Sequence, residues 1–286
     1  MSRKFVGLAL VFATAVLGSQ APARPSPAFD VASIKPTPPN PPVTTIGGAT
    51  PDGRWSPRNV TLRMILGRAY PEYTLPGMIV GGPAWVAERH FDIDAKSDGP
   101  ATPAQYPQMI RQLLADRFRL KTHIEPRPVD VYALMPARTD GRLGPRLRPA
   151  TAMCTAELET ERERMRAYQT GSVTERQAEP TPPCNRKRGL NNGMMRITGG
   201  HSMKELAAEL QSWTDLKIVD RTDMRGDYEI EVEFDFRGTI SVGANSDTSK
   251  PSVFTAVQEQ LGLQLERSRQ SVDVLIIDSI ELPSEN

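Results

Sequence analysis

The side chains that most often carry chemistry are few in this 286-residue chain: three histidines, His90, His123 and His201, and two cysteines, Cys154 and Cys184. No two histidines stand at a metal-binding spacing and no His-Glu-x-x-His sequence occurs, so zinc-dependent hydrolysis has no ligand set to start from. His123 and His201 fall beside expected element boundaries, where a polar surface residue is ordinary. Acidic pairs occur as Asp92/Asp94, Glu229/Glu231/Glu233 and Asp220/Asp223. General acid–base work needs two carboxyl groups converging on a cleft with separated pKa values. Alternate residues of a strand instead share one face, so these acids are expected on solvated sheet faces. There is no Gly-x-Ser-x-Gly elbow, P-loop or dinucleotide-binding glycine pattern; Gly47-Gly48 and Gly81-Gly82 read as turns. No catalytic residue, cofactor site or metal site is assigned. Two basic clusters, Arg138/Arg142/Arg146/Arg148 and Arg186/Lys187/Arg188, lack interleaved aromatics. They read as solvated flanks or as a contact to anionic envelope polymers, not as a nucleic-acid stripe.

The N-terminus bounds the compartment. Arg3 and Lys4 precede an uncharged apolar run, Phe5 to Gly18, and Ala21-Pro22-Ala23 supplies the small residues a signal peptidase reads. The run is about 14 residues long, short of the roughly 20 that a membrane-spanning helix needs. Residues 1–23 are therefore expected to be a signal peptide cut after Ala23, since a cut after Ala21 would place Pro22 just beyond it. The alternative is an uncleaved N-terminal anchor. No Cys follows the run, which argues against a lipoprotein, and no later segment is long and apolar enough to cross a bilayer. The mature chain is expected to be extracytoplasmic, either periplasmic or secreted. In that setting Cys154 and Cys184 are expected to form a disulfide, two free thiols being the alternative. Closing a loop of about 30 residues contributes roughly 3–4 kcal/mol in the chain-entropy model. Charge nearly balances, 35 Lys and Arg against 34 Asp and Glu, which leaves no global field to attract nucleic acid or an anionic membrane.

The elements that would have to position any site fall into two patterned stretches. Residues 24–136 hold a short N-terminal strand, Phe29 to Lys35, and a first patterned unit; residues 194–286 hold a second. Between them, 137–193 reads as an irregular charged insert in which Glu157 to Arg166 forms a salt-bridged helix or none. Thr61 and Ser202 each suit a helix N-cap, and Ser202 with Glu205 makes a capping box. The apolar spacing Leu62, Ile65, Leu66, Ala69 matches Met203, Leu206, Ala207, Leu210. Ile79-Val80 and Ile218-Val219 follow, then the alternating strands Phe91 to Ala95 and Tyr228 to Val232. Ile110, Leu113, Leu114 and Phe118 recur as Val253, Ala256, Val257 and Leu261, each 143 positions later. Val129-Asp130-Val131 recurs as Val272-Asp273-Val274 at the same offset.

The expected fold class is α+β: two divergent repeats of a small β-α-β-β-α-β-β unit, with helices packed on one face of each sheet. The Ile79/Ile218 and Leu120/Leu263 strands should be central, with a further strand at the Val129/Val272 positions.

Each half resembles the short N-terminal domains of secretins and TonB-dependent receptors, in element order and in phrases such as Gln260-Leu261-Gly262-Leu263-Gln264-Leu265. Nearly the whole mature chain is similar to a soil-associated family of exported bacterial proteins. The similarity is carried by Phe29 to Pro36, Gly82-Pro83-Ala84-Trp85, Phe91 to Lys96, Leu113 to Leu120, Val219-Asp220-Arg221-Thr222 and Gln260 to Asp278. That family has no assigned activity, and its domain also occurs fused behind membrane metallopeptidases of the β-lactam-sensor type. Where the family has Gly-Leu after the Thr222 position, this chain has Asp223-Met224. The resemblance implies an envelope role. The expected function is a non-catalytic extracytoplasmic binding or adaptor module whose partner is an unidentified envelope protein or polymer. The alternatives are an envelope hydrolase with a site between the repeats, or a structural protein pairing through a sheet edge.

Overall fold

Two strands far longer than the rest organise the chain. The computed structural model describes residues 28–38, 43–48, 50, 52–102, 104–169, 183–236 and 250–283; the expected signal peptide and its cleavage after Ala23 lie outside them. In chain order the elements are β1 (Val31–Pro36), β2 (Arg54–Trp55), β3 (Val60–Thr61), α1 (Leu62–Ala69), β4 (Ile79–Gly81), α2 (Trp85–Glu88), β5 (His90–Lys96), α3 (Tyr106–Phe118) and β6 (Lys121–Pro136). There follow β7 (Leu147–Pro149), α4 (Ala152–Gln169), β8 (Lys187–Asn191), β9 (Met194–Ser202), α5 (Met203–Leu210), β10 (Lys217–Asp220), β11 (Asp227–Phe234), α6 (Val253–Ala256) and β12 (Leu263–Ser279). Helices and sheets are thus mixed, as an α+β fold requires.

β6 and β12 pair antiparallel along almost their whole length, from Leu263 opposite Pro136 to Ser279 opposite Lys121. At about 3.3 Å per residue this is a ribbon of roughly 50 Å. β10 adds in parallel to β6, Ile218 opposite Tyr132, and β4 adds in parallel to β12, Ile79 opposite Leu275. The order is β10-β6-β12-β4. This corrects the expectation of central Ile79/Ile218 strands with separate strands at Leu120 and Val129: β4 and β10 are edges, and residues 121–136 form one strand. Pro126 and Pro128 invite a break there, yet they are two residues apart, so both missing donors fall on the same edge of β6. Among the described residues β6 has only β12 beside it over that stretch, and a proline is tolerated on an open edge.

Each of the two other sheets contributes to one core. In one, β5 lies between β1 and the short strands β2 and β3; in the other the order is β7-β11-β9-β8. The alternating strands behave as their sequence predicts on the inner side, with Phe91, Ile93 and Ala95 buried on β5, and Ile230, Val232 and Phe234 on β11. The first core joins these β5 residues to α1, α3 and three residues of β12: Val274, Leu275 and Ile277. The second joins β9, β11, α5 and α6 to Leu134 of β6. Thr61 Oγ1 accepts from the Met64 N–H at the start of α1, and the Ser202–Glu205 capping box opens α5. The stretch 137–193, read as irregular, carries β7, α4 and β8 among its described residues.

A chain ending at Gly262 would lack β12, and the first core would lose the three residues β12 supplies. Such a chain is expected not to give a cooperative unfolding transition for its N-terminal half in urea. The milder Leu275→Ala should lower stability by about 2–5 kcal/mol. A truncated chain whose N-terminal half still unfolds cooperatively would show that β6 alone completes it.

Candidate functional site

α1 has two faces. Leu62, Ile65, Leu66 and Ala69 are buried in the first core, while Arg63, Met64, Gly67 and Arg68 line an open groove of about 1190 Å³. That is slightly larger than pockets which take drug-sized ligands, roughly 300–1,000 Å³. The opposite wall comes from Tyr106, Pro107 and Ile110 of α3, with Trp55, Gly47, Gly48 and Thr50 at one end. Trp55 is buried, stacks on Phe29 at 6.0 Å, and its indole N–H donates to the Ile46 carbonyl at 3.1 Å. That bond and the Thr45–Arg58 bridge hold the 45–48 loop in place beside the groove. The Tyr106 hydroxyl is buried and has no hydrogen-bond partner among the described residues, and burial raises its pKa, with Asp52 adding to the rise. No titratable motif marked this groove in the sequence. The one available signal was Gly67 inside a helical pattern, which costs about 1 kcal/mol relative to Ala and asks for a reason.

The second cluster lies where α4 crosses the β9–α5 junction. Cys154 on α4 and Cys184 stand at disulfide distance, Cα–Cα 4.9 Å. Gly200 lies beneath them, and a Cβ there would come within 2.7 Å of the Cys184 sulfur. Further along α4, Arg162 donates to Glu205 at 2.8 Å and to Asp227 at 2.6 Å. Arg186 also reaches Glu205, at 3.2 Å, and donates to the Gly200 carbonyl. Glu205 therefore sits at a pKa of about 2: burial alone would raise it, but the Arg162 and Ser202 hydrogen bonds and the Arg186 charge outweigh burial. Both carboxylates also hold Arg162 protonated, its pKa raised far above the ordinary arginine value. The two sulfurs and a Glu229 oxygen form a group close enough to hold a metal ion. Glu229 is held by Arg148 at 2.7 Å, and sulfurs at bonding distance from each other offer no thiolate pair to a cation.

The other candidate residues prove to be engaged. The acidic face of β11, expected in water, is paired: Glu229 with Arg148, Glu231 with Arg146 and Arg196, and Glu233 with Arg196. The reason is that β7 and β9 lie on either side of β11 and bring their arginines across it. On β5, Asp94 meets Arg58 at 2.7 Å, and Asp92 accepts from Thr37 and from the Asn59 N–H. The two basic clusters are likewise used internally, with Arg138 on Asp140 and Arg188 on Glu209 besides the pairs above. His123 bonds Asp278 and Glu125 on the exposed ribbon, and His90 is exposed. His201, expected at the surface, is 2% exposed and bonds the Gly199 carbonyl; burial and the Arg186 charge lower its pKa. Asp223 takes φ +56°, the left-handed turn geometry that a glycine would give, which Asp tolerates better than most residues. Asp220 steadies that turn by accepting from the N–H and hydroxyl of Thr222.

A family model described as "Protein of unknown function (DUF3738)" matches residues 68–280. No curated protein and no solved structure matches the chain.

Glu205, usual pKa 4.5 and here about 2, gives the α4 contact a pH signature. A pKa depressed on folding means stabilisation that is complete above the unfolded value and lost as pH falls toward the folded one. Urea midpoints should therefore decline between about pH 4.5 and 2, by an equivalent of about 2 kcal/mol once partial exposure is discounted. Glu205→Gln should flatten that part of the profile; an unchanged slope in the variant would remove Glu205 as its source.

Proposed function

The chain belongs to the DUF3738 family of proteins of unknown function, and we propose that it is a non-catalytic, extracytoplasmic binding module built from two copies of one αβ unit. The observation that carries the binding reading is the groove over α1. It is concave, mostly apolar and formed by described elements of the first core, which is the usual form of a small-molecule site. Carboxylates that an envelope hydrolase would need to keep available are instead paired with arginines or hydrogen-bonded in turns. The arginines of the two clusters are largely turned to internal carboxylates, so the groove is the better place to look for the partner.

Two-copy organisation is supported by the order of elements. Apart from α2, which has no counterpart among the described residues of the second unit, the run β3-α1-β4-β5-α3-β6 is matched by β9-α5-β10-β11-α6-β12. Arg119 and Gly262 close α3 and the turn after α6, both with left-handed backbone at φ 51° and 68°, and they are 143 positions apart. The parallel pairs Ile79–Leu275 and Ile218–Tyr132 correspond under exchange of the copies, because Tyr132 and Leu275 are again 143 apart. The ribbon has its midpoint at Pro128 opposite Ser271, a pair separated by the same 143. In this reading each copy gives its last strand to the other's core. The domains follow as a signal peptide over 1–23, a first unit over 24–136, an α4-bearing insert over 137–193 and a second unit over 194–286.

The cysteine pair at disulfide distance is compatible with export, and in this reading the signal peptide is removed after Ala23. Protein recovered from the envelope or medium of a producing cell should begin at Arg24 and carry no titratable thiol until reduced. An intact N-terminus or two free thiols would count against this reading.

For the groove, the uncharged probe N-phenyl-1-naphthylamine should bind saturably, one per chain. Ala87→Trp, at an exposed position on the groove wall, should weaken it by roughly tenfold or more, about 1.4 kcal/mol. Absence of saturable binding, or indifference to the tryptophan, would sink the binding reading.

A further inference from the structure

Resting on that binding reading, we infer that the groove takes a single-chain amphiphile with an anionic head, its hydrocarbon lying between α1 and α3 and its head meeting Arg63 and Arg68. Among the described residues the wall carries these two guanidinium groups and no carboxylate. Both arginines are exposed. Among the described residues Arg68 has no ion-pair or hydrogen-bond partner, and the one bond of Arg63 is to the Ile79 carbonyl at 3.3 Å. This contrasts with Arg148, Arg162 and Arg196, each of which has a carboxylate in reach. Asp52, whose field reaches Tyr106, does not line the groove and accepts a hydrogen bond from the Thr50 hydroxyl.

The remaining wall is suited to hydrocarbon. Met64 is 39% exposed on α1, and it faces the same groove as Trp55 and Ile110. Gly67 keeps the floor open between the arginines; the nearest atom to a Cβ placed there is a Thr74 methyl at 3.3 Å. A chain with a cationic head would meet two like charges, and one with a neutral head would leave both guanidinium groups to water. A carboxylate or phosphate matches the donor fork of arginine and forms charge-assisted bonds.

The test is displacement of N-phenyl-1-naphthylamine from the mature chain by dodecanoate, dodecyl phosphate, dodecanol and dodecylamine, each below its micelle concentration. At least one of the two anions should displace the probe at about tenfold lower concentration than the alcohol or amine, as one net charge-assisted hydrogen bond implies. The ratio between the two anions tells a carboxylate source from a phosphate source. Combining Arg63→Gln with Arg68→Gln should abolish the anion preference, read as the ratio of anion to alcohol needed for half-displacement in each protein, a ratio that does not depend on that protein's own affinity for the probe. A groove that binds the probe but ranks the heads in any other order, or keeps its preference in the double variant, overturns the ligand class and spares the binding reading. A groove that does not bind the probe overturns both.

Discussion

The β6–β12 ladder is the constraint on which the rest of the molecule depends. Each long strand leaves one core, crosses an exposed middle stretch and ends in the other core. Val274, Leu275 and Ile277, near the C-terminus, are packed against helices formed from residues 62–118. A shift of one residue in this ladder would turn every inward side chain outward at both ends, because side chains alternate along a strand. The short strands β4 and β10 add only three and four paired residues to the ribbon edges. They are held there by buried Ile79 and Ile218 as much as by their ladders.

Charge is organised by the same geometry. β7 and β9 flank β11, so Arg148, Arg146 and Arg196 reach the carboxylates of Glu229, Glu231 and Glu233. Most of these pairs are partly exposed, and each contributes little by itself. Their combined effect is to fix which strands lie beside β11 and to remove an acidic stripe from the surface. The Arg162 cluster differs, because the Asp227 side chain is only 5% exposed. Removing Arg162 would leave a buried carboxylate without a counter-charge, a change that is strongly destabilising. With the paired cysteines, it fixes α4 to the second core at two points along one helix.

The groove follows from how α1 divides its residues. Eight residues are enough to bury one stripe and present the other, and α3 lies beside α1 to make the second wall. Trp55 serves both sides: it is part of the first core and, through its indole N–H, holds the loop at the groove's end. A groove built this way needs no sequence motif. Arg63 and Arg68 are the two cations on a wall that is otherwise uncharged among the described residues.

Local pattern determined a good deal of this protein. The 3.6-residue spacing of Leu62, Ile65, Leu66 and Ala69 and of Met203, Leu206, Ala207 and Leu210 specified α1 and α5, since only one face of each could be buried. The Ser202–Glu205 box marked a helix start, and strict alternation marked β5 and β11. Tertiary structure alone decided what those elements meet. Pairing partners for residues 121–136 lie about 140 positions away, and the Pro126/Pro128 segment looks like a turn until a strand on one side only makes its missing donors harmless. Whether Glu231 is wet, whether His201 is buried and where Arg146 points depend on which strand is adjacent. Hydropathy of a single segment carries no information about its neighbour. The groove was hidden for the same reason: Arg63, Tyr106 and Gly47 are ordinary residues in sequence, and they line one space only because α1, α3 and the 45–48 loop come together around it.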